Sequence, residues 1–263
     1  MSRHRTMGSL LAVFLISAAA NPIITRHDRD DAAYLELGVQ FEQVLAHMNL
    51  ETPGNPPDGE GTLIATSWVL TAAHVGVEVE PGHLLTIAGN EFETDTTYVH
   101  PEWDDGASDD IALIKLRKPV DGADPAKLYP FSDEVGMVVT VVGRGDSGTG
   151  ETGPSGNDGR LRGATNKVDG ANDHLLWWRF DAPDDDTGNE TELEGISGPG
   201  DSGGPAFAER DGVRYLLGVS STQSTRATAG KEGVYGVTEY YVRVSSYLDW
   251  IEETINENTL PQR

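Results

Sequence analysis

The 263-residue chain contains no cysteine. Disulfide staples and thiolate metal centres are therefore excluded, and cysteine usage leaves the redox compartment open. Basic residues are scarce: 19 lysines and arginines stand against 43 aspartates and glutamates, for a net charge of −24. A chain so charged lacks the positive surface that phosphates require and is repelled by anionic lipid, so neither nucleic acid nor a membrane surface is expected as a partner. Long apolar runs are missing too. Residues 10–16 form the one pronounced run near the start, too short for a comfortable bilayer span, and no other segment could cross a membrane.

Hydrophobic residues make up 37% of the chain, enough for a globular core, and 31 glycines with several β-branched runs favour short strands and turns over a helical bundle. The acidic excess is read as a solubility feature or one suited to a saline habitat, rather than a lure for cationic substrates. Arg3, His4 and Arg5 precede the run at 10–16, and Ser17-Ala18-Ala19-Ala20 follows it. That layout marks residues 1–20 as a secretory signal peptide, with an uncleaved anchor as the alternative. Asn21-Pro22 would then be a two-residue propeptide.

From residue 37 onward, Leu37, Phe41, Val44, Leu45 and Met48 fit helical spacing, while Val39 and Phe41 also suit a strand, so this segment stays undecided. After a Pro/Gly-rich turn, residues 61–74 read as a hairpin ending in a small-residue turn that presents His74. Further strands are expected at 84–87, 111–116, 137–142, 175–180, 205–208, 215–220 and 240–244. The polar connection that begins at 121 divides the chain into 23–125 and 126–244, with a helix and tail at 245–263. In that helix Ser246 caps with Asp249, and Tyr247, Trp250, Ile251 and Ile255 form one apolar stripe. Residues 181–194 read as a solvated acidic loop without the ligand spacing of a cation site, and no metal is expected. Asn189-Glu190-Thr191 fits an N-glycosylation acceptor in a eukaryotic source.

The sharpest local signal is Gly200-Asp201-Ser202-Gly203-Gly204-Pro205. A serine hydroxyl is a weak nucleophile near neutral pH and needs a base for its proton and donors for the oxyanion it creates. Glycines around it let the backbone bend and let a carbonyl approach the amides closely. His74, at the end of Thr71-Ala72-Ala73-His74, offers the base; His4, His27, His47, His83, His100 and His174 are read as packing or surface residues. Asp110, heading Asp110-Ile111-Ala112-Leu113, offers an orienting carboxylate. In motif and order these three segments resemble the trypsin/chymotrypsin-like serine peptidases, over roughly residues 23–251. His100-Pro101-Glu102-Trp103 is similar to the family's HPxY segment, and Gly143-Arg144-Gly145 to its GWG turn with arginine in place of tryptophan. Tyr241-Val242-Arg243-Val244 is similar to its last strand.

The residues by themselves support an all-β protein. The resemblance implies two six-stranded antiparallel β-barrels packed face to face, a C-terminal helix, and an active site in the cleft between the barrels. It implies that Ser202 attacks the substrate carbonyl, His74 acts as base and then acid, and Asp110, chosen over Asp109 because it directly precedes Ile111, orients the imidazole. The amides of Gly200 and Ser202 would form the oxyanion hole. Asp201 would receive a freed amine on Ile23 once Asn21-Pro22 is removed; alternatively other hydrogen bonds satisfy it and no processing occurs. An ungapped alignment puts Ile196, Ser197 and Gly198 along the substrate pocket, with Ile196 favouring an apolar P1 residue. Glu239 falls either on the far wall, where it would receive lysine or arginine, or in a loop. Ser221, or Ser220 if the register slips, resembles the serine that supports the catalytic aspartate. Two departures stand out: the family's disulfides are absent, and residues 223–231 have no clear counterpart. The expected function is a secreted, extracellular or periplasmic, serine endopeptidase. It would act on protein or peptide substrates through an acyl-enzyme, with no cofactor and no membrane association after signal cleavage; its oligomeric state stays open, with a monomer favoured. The alternative is a non-catalytic binding or regulatory protein that kept the fold.

Overall fold

The computed structural model describes residues 23–49, 58–185 and 187–259. The expected leader and Asn21-Pro22 lie outside the described residues. The first half holds strands β1 (Ile23–Thr25), β2 (Leu45–Met48), β3 (Gly59–Ala65), β4 (Trp68–Thr71), β5 (Leu84–Ile87), β6 (Asn90–Val99) and β7 (Ala112–Leu116). Helix α1 (Asp31–Gly38) follows β1, and the single turn α2 (Ala73–Gly76) follows β4. The second half adds β8 (Lys127–Leu128), β9 (Val138–Gly143), β10 (Ser147–Thr149), β11 (Gly153–Gly156), β12 (Arg162–Lys167) and β13 (Gly170–Ala171). It continues with β14 (Leu175–Arg179), β15 (Gly195–Ile196), β16 (Pro205–Arg210), β17 (Val213–Ser224), β18 (Thr238–Arg243) and α3 (Leu248–Thr259). Among the described residues no helix is long and apolar enough to cross a membrane.

Six strands close into a barrel in the order β2-β3-β4-β7-β6-β5, every neighbour antiparallel. Leu45, Leu63, Leu70, Leu85, Ile87 and Leu113 are among the buried residues of its core. Register then fixes the site. Thr71, the last residue of β4, pairs with Ala112, the first of β7. The residues just past Thr71 and just before Ala112 therefore leave the barrel at one edge, and they include His74 and Asp110. With no disulfide to hold the His74 turn, close packing does so: a Cβ on Gly76 would come within 2.7 Å of the Ala112 methyl.

The second unit is a curled sheet in the order β12-β9-β16-β17-β18-β14-β13, with β8 parallel to β17. Its ends approach where Asn166 Nδ2 of β12 donates to Arg179 O of β14 at 3.2 Å, short of a full ladder. One barrel is thus closed and the other is a half-barrel, around Val139, Val141, Leu176, Trp178, Leu217 and Tyr241. The first described residues, from Ile23, belong with this second unit. β1 lies parallel to β10 and antiparallel to β15, and Arg162 of β12, fully buried, holds Asp31 of α1 at 2.8 Å. A Cβ on Gly38 would come within 2.6 Å of the Arg162 carbonyl carbon, so only glycine lets α1 lie so close.

The undecided segment from residue 37 follows neither pattern throughout: Leu37 is in a helix, Val39 and Phe41 in a turn, and Leu45 and Met48 in a strand. The helix ends at Gly38, a 3-10 turn covers Val39–Phe41, and the strand begins at Leu45. At the other end α3 starts at Leu248, behind a 3-10 turn at Val244–Ser246, one residue later than a Ser246 cap predicts. Tyr247 and Ile251 of its expected stripe are buried.

Candidate active site

Asp109 and Asp110 are adjacent, yet a tight turn sends their carboxylates to different partners. Asp109 sits at φ 60°, and Ile111 N donates back across it to Asp109 O at 2.7 Å. Asp109 Oδ1 accepts from Tyr247 OH at 3.0 Å, whereas Asp110 faces His74. Both oxygens of Asp110 are engaged. Oδ1 accepts from His74 N at 2.9 Å, and Oδ2 accepts from His74 Nδ1 at 2.8 Å and from Ser221 Oγ at 2.6 Å. Asp110 is 2% exposed, so this carboxylate is held rigidly and out of water. Ionised, it can only accept, which places the imidazole proton on Nδ1 and leaves Nε2 free to take one. The His74 side chain is 35% exposed, open to substrate.

Ser202 lies on a turn clamped from two sides. Gly200 and Gly203 adopt φ 92° and 79°, a left-handed backbone that a side chain would strain. Ser202 O accepts from Glu60 N of β3 at 2.7 Å, and Gly203 N donates to Ser220 O of β17 at 2.9 Å. Asp201 N and Gly204 N are satisfied inside the turn. Gly200 N and Ser202 N have no acceptor among the described residues, so both can meet a substrate oxygen. No hydrogen bond joins Ser202 Oγ to His74; such contacts commonly tighten only when substrate is bound.

Beneath the turn, Asp201 is buried and accepts from Gly145 N at 2.5 Å and Gly198 N at 2.8 Å. Among the described residues no cation pairs with it, and nothing joins it to Ile23. Burial, and then the neighbouring Glu60, push its carboxyl well above the usual range. Ile23 is itself fully buried at the start of β1, at φ 63°.

A pocket of about 220 Å³ opens beside Ser202 between Ser197-Gly198-Pro199 and Ser221-Thr222-Gln223. Two residues expected in it do not line it. Ile196 is fully buried and pairs with Ile24. Glu239 lies in β18 rather than in a loop, fully buried, and accepts from Ser197 N at 2.9 Å, Ser197 Oγ and Trp178 Nε1 at 3.1 Å. Gln223 closes the near side, its Nε2 donating to Ser197 O at 2.8 Å and its Oε1 accepting from Gly233 N at 3.3 Å.

Sequence reasoning passed over Gln223 and three residues around Asp201: Glu60, His47 and Arg144. Two signals were available for the latter group. Arginine replaces the tryptophan expected at residue 144, and Glu60 is a single acid between two glycines at the head of an otherwise uncharged strand. Neither reveals a contact between segments so far apart.

Three buried glutamates carry a consequence for stability. Burial pushes Glu60 up to about 8, and Glu194 and Glu239 up to about 7, from 4.5. A carboxyl raised on folding binds its proton more tightly in the native chain. Its stabilising contribution is complete below about 4.5 and is lost as pH rises through about 7 to 8. Thermal unfolding is therefore expected at a higher midpoint at pH 6 than at pH 9; a midpoint that rises over that interval would contradict these burials.

Comparison with known proteins gives the same family throughout. The family model described as Trypsin matches residues 55–251. The chain is 30% identical over 246 residues to complement C1s subcomponent of Sus scrofa, covering 79% of this chain and 33% of that relative's length. It is 30% identical over 212 residues to chymotrypsin-C of Mus musculus, covering 74% and 77% of the two chains. It is also 30% identical over 224 residues to trypsin of Saccharopolyspora erythraea, covering 76% and 89%.

Proposed function

The chain belongs to the trypsin family, and on that premise we propose that it is a secreted serine endopeptidase that cleaves protein or peptide substrates through an acyl-enzyme on Ser202. The observation that carries this reading is the bond of 2.8 Å between His74 Nδ1 and a buried Asp110, whose other side-chain partner, Ser221, lines the same pocket as Ser202. His74 Nε2 takes the Ser202 proton as Oγ attacks the scissile carbonyl. The imidazolium that forms is stabilised by Asp110 and then protonates the leaving amine. Charge developing on the carbonyl oxygen is met by Gly200 N and Ser202 N, each donor contributing about 3–4 kcal/mol to the transition state. Water then repeats the cycle and releases the acid product. Ser221 is a positioning residue that holds Asp110 through its hydroxyl.

Release of Ile23 is part of the proposal. A β-branched residue at φ 63° costs roughly 1–2 kcal/mol. Cleavage before Ile23 removes the peptide that defines this angle, relieving the strain and freeing an amine for Asp201.

The pocket walls favour a polar P1 side chain, because hydroxyls and the Gln223 amide line it together with one carboxylate, Glu232. Glu239 is already committed to Ser197 and Trp178 behind the wall. A panel of peptides differing only at P1 checks this. Glu239→Gln is expected to change the relative cleavage of lysine and arginine substrates by less than about twofold, whereas a tenfold loss would put Glu239 in contact with P1.

A further inference from the structure

Glu60 presents a buried group that the reaction does not use. It is fully buried, and its Oε2 has no hydrogen-bond partner among the described residues. Its Oε1 is well met, accepting from Arg144 N at 2.6 Å and lying 3.2 Å from His47 Nδ1. The unmatched oxygen shares its surroundings with Asp201: a Cβ built on Gly143 would run into Asp201 Oδ1 and come within 2.9 Å of Glu60 Oε2. Two buried carboxyl groups thus flank one glycine. Both cannot carry charge in so dry a place without a positive counterpart, because desolvation and mutual repulsion add.

The charged and titratable neighbours, taken element by element, supply no such counterpart to Asp201. From β2 comes His47, which burial and then Arg144 lower to about 3, so it is neutral. Arg144 Nε donates to His47 Nε2 at 2.8 Å, which makes His47 Nδ1 the protonated nitrogen and a donor to Glu60. The guanidinium itself turns outward to Glu42 at 2.9 Å and Gly159 O at 2.9 Å. From β18 comes Glu239, a third acid, which adds to the repulsion on Asp201. The arginine that replaces the expected tryptophan therefore fastens Glu60 in place through His47 and leaves the gap toward Asp201 without a cation.

We propose that Glu60 is a positioning residue of the nucleophile turn: in the chain not yet cut before Ile23, its carboxyl and that of Asp201 hold one solvent-derived proton between them, and this proton stands in for the Ile23 ammonium. This rests on the serine-peptidase reading and adds a regulation of the same site. With the proton present, one negative charge remains, and Asp201 stays on the amides of Gly145 and Gly198, which keeps Gly200 N and Ser202 N aimed at the oxyanion. Loss of the proton puts two charges side by side, drives Asp201 from those amides and collapses the hole. The uncut chain is therefore competent at neutral pH and loses competence in the alkaline range, because burial raises Glu60 to about 8 and burial together with Glu60 raises Asp201 well above the usual carboxylate range. Cutting before Ile23 replaces a proton that titrates with an ammonium that pairs directly.

The test uses protein beginning at Asn21 and protein beginning at Ile23, each as wild type and as Glu60→Gln, with the rate of fluorophosphonate labelling measured at pH 7 and pH 9. A glutamine keeps a donor where the shared proton lay but cannot titrate. Wild type beginning at Asn21 is expected to label at pH 7 and to slow by at least about tenfold at pH 9, while its Glu60→Gln variant keeps a rate within about threefold at both. Wild type beginning at Ile23 is expected to label at both. Failure of the Asn21 protein to label at pH 7 while the Ile23 protein labels, or an unchanged alkaline loss in Glu60→Gln, overturns the proposal. A second readout needs no activity. With ¹³C-carboxyl glutamate, the signal absent from Glu60→Gln is expected to titrate near pH 8, and titration near the ordinary 4.5 overturns the pairing. Absence of labelling in every protein would instead contradict the peptidase reading, with the carboxyl titration still deciding whether the pair holds a proton.

Discussion

Asp110→Asn is expected to lower kcat by about four orders of magnitude while the protein stays folded. The asparagine carbonyl in the place of Oδ1 can still accept from His74 N, which now binds Asp110 at 2.9 Å, and the amide nitrogen in the place of Oδ2 can donate to the Ser221 hydroxyl oxygen, now 2.6 Å away, so the site keeps its packing. The change falls on the imidazole. An amide group presented to His74 Nδ1 donates a proton instead of accepting one, which forces the ring proton to Nε2 and removes the base that Ser202 needs. Steady-state hydrolysis of a peptide substrate, with thermal unfolding as control, measures this. A loss below about tenfold with an unchanged unfolding midpoint would mean that Asp110 does not orient the base. Asp109→Asn supplies the contrast. Its carboxylate meets Tyr247 OH rather than His74, so a small change in kcat is expected.

Gly203→Ala is expected to damage both folding and activity. The position adopts φ 79°, which costs an alanine roughly 1–2 kcal/mol. The added Cβ would also run into Glu60 O and Thr71 Oγ1 and come within 3.1 Å of Ala72 N. These atoms belong to β3 and to the β4–α2 junction that carries His74, so there is little room for either side to yield. Overpacking of this kind adds about 1–3 kcal/mol, and relieving it would shift the Ser202 turn away from His74. Urea unfolding together with the fluorophosphonate labelling rate would register both losses. Wild-type stability with wild-type labelling would show that the turn is far looser than its two-sided clamp implies.

The hairpin and the strands at Leu84–Ile87 and directly after Asp110 were legible because they alternate or run apolar between turn residues, and the barrel core they build is local in sequence. β1 was not legible: three residues carry no periodicity, and Ile23 and Ile24 are strand only because β10 and β15 flank them. The same holds for Glu239, assigned between a wall and a loop. Its place depends on the β17–β18 register, which shifts between Ser220 and Thr222. His74, Asp110 and Ser202 stand in recognisable strings. Glu60, His47 and Arg144 meet only through folding, and a one-dimensional pattern gives no sign that a lone acid in β3 will share a buried gap with Asp201.

The central claim is that Ser202 is an activated nucleophile. Fluorophosphonate labelling of protein beginning at Ile23, followed by peptide mass mapping, tests it most directly. The account predicts a single adduct on Ser202, absent from Ser202→Ala and suppressed in His74→Ala. An unlabelled protein, or an adduct on another residue that persists in Ser202→Ala, would contradict it.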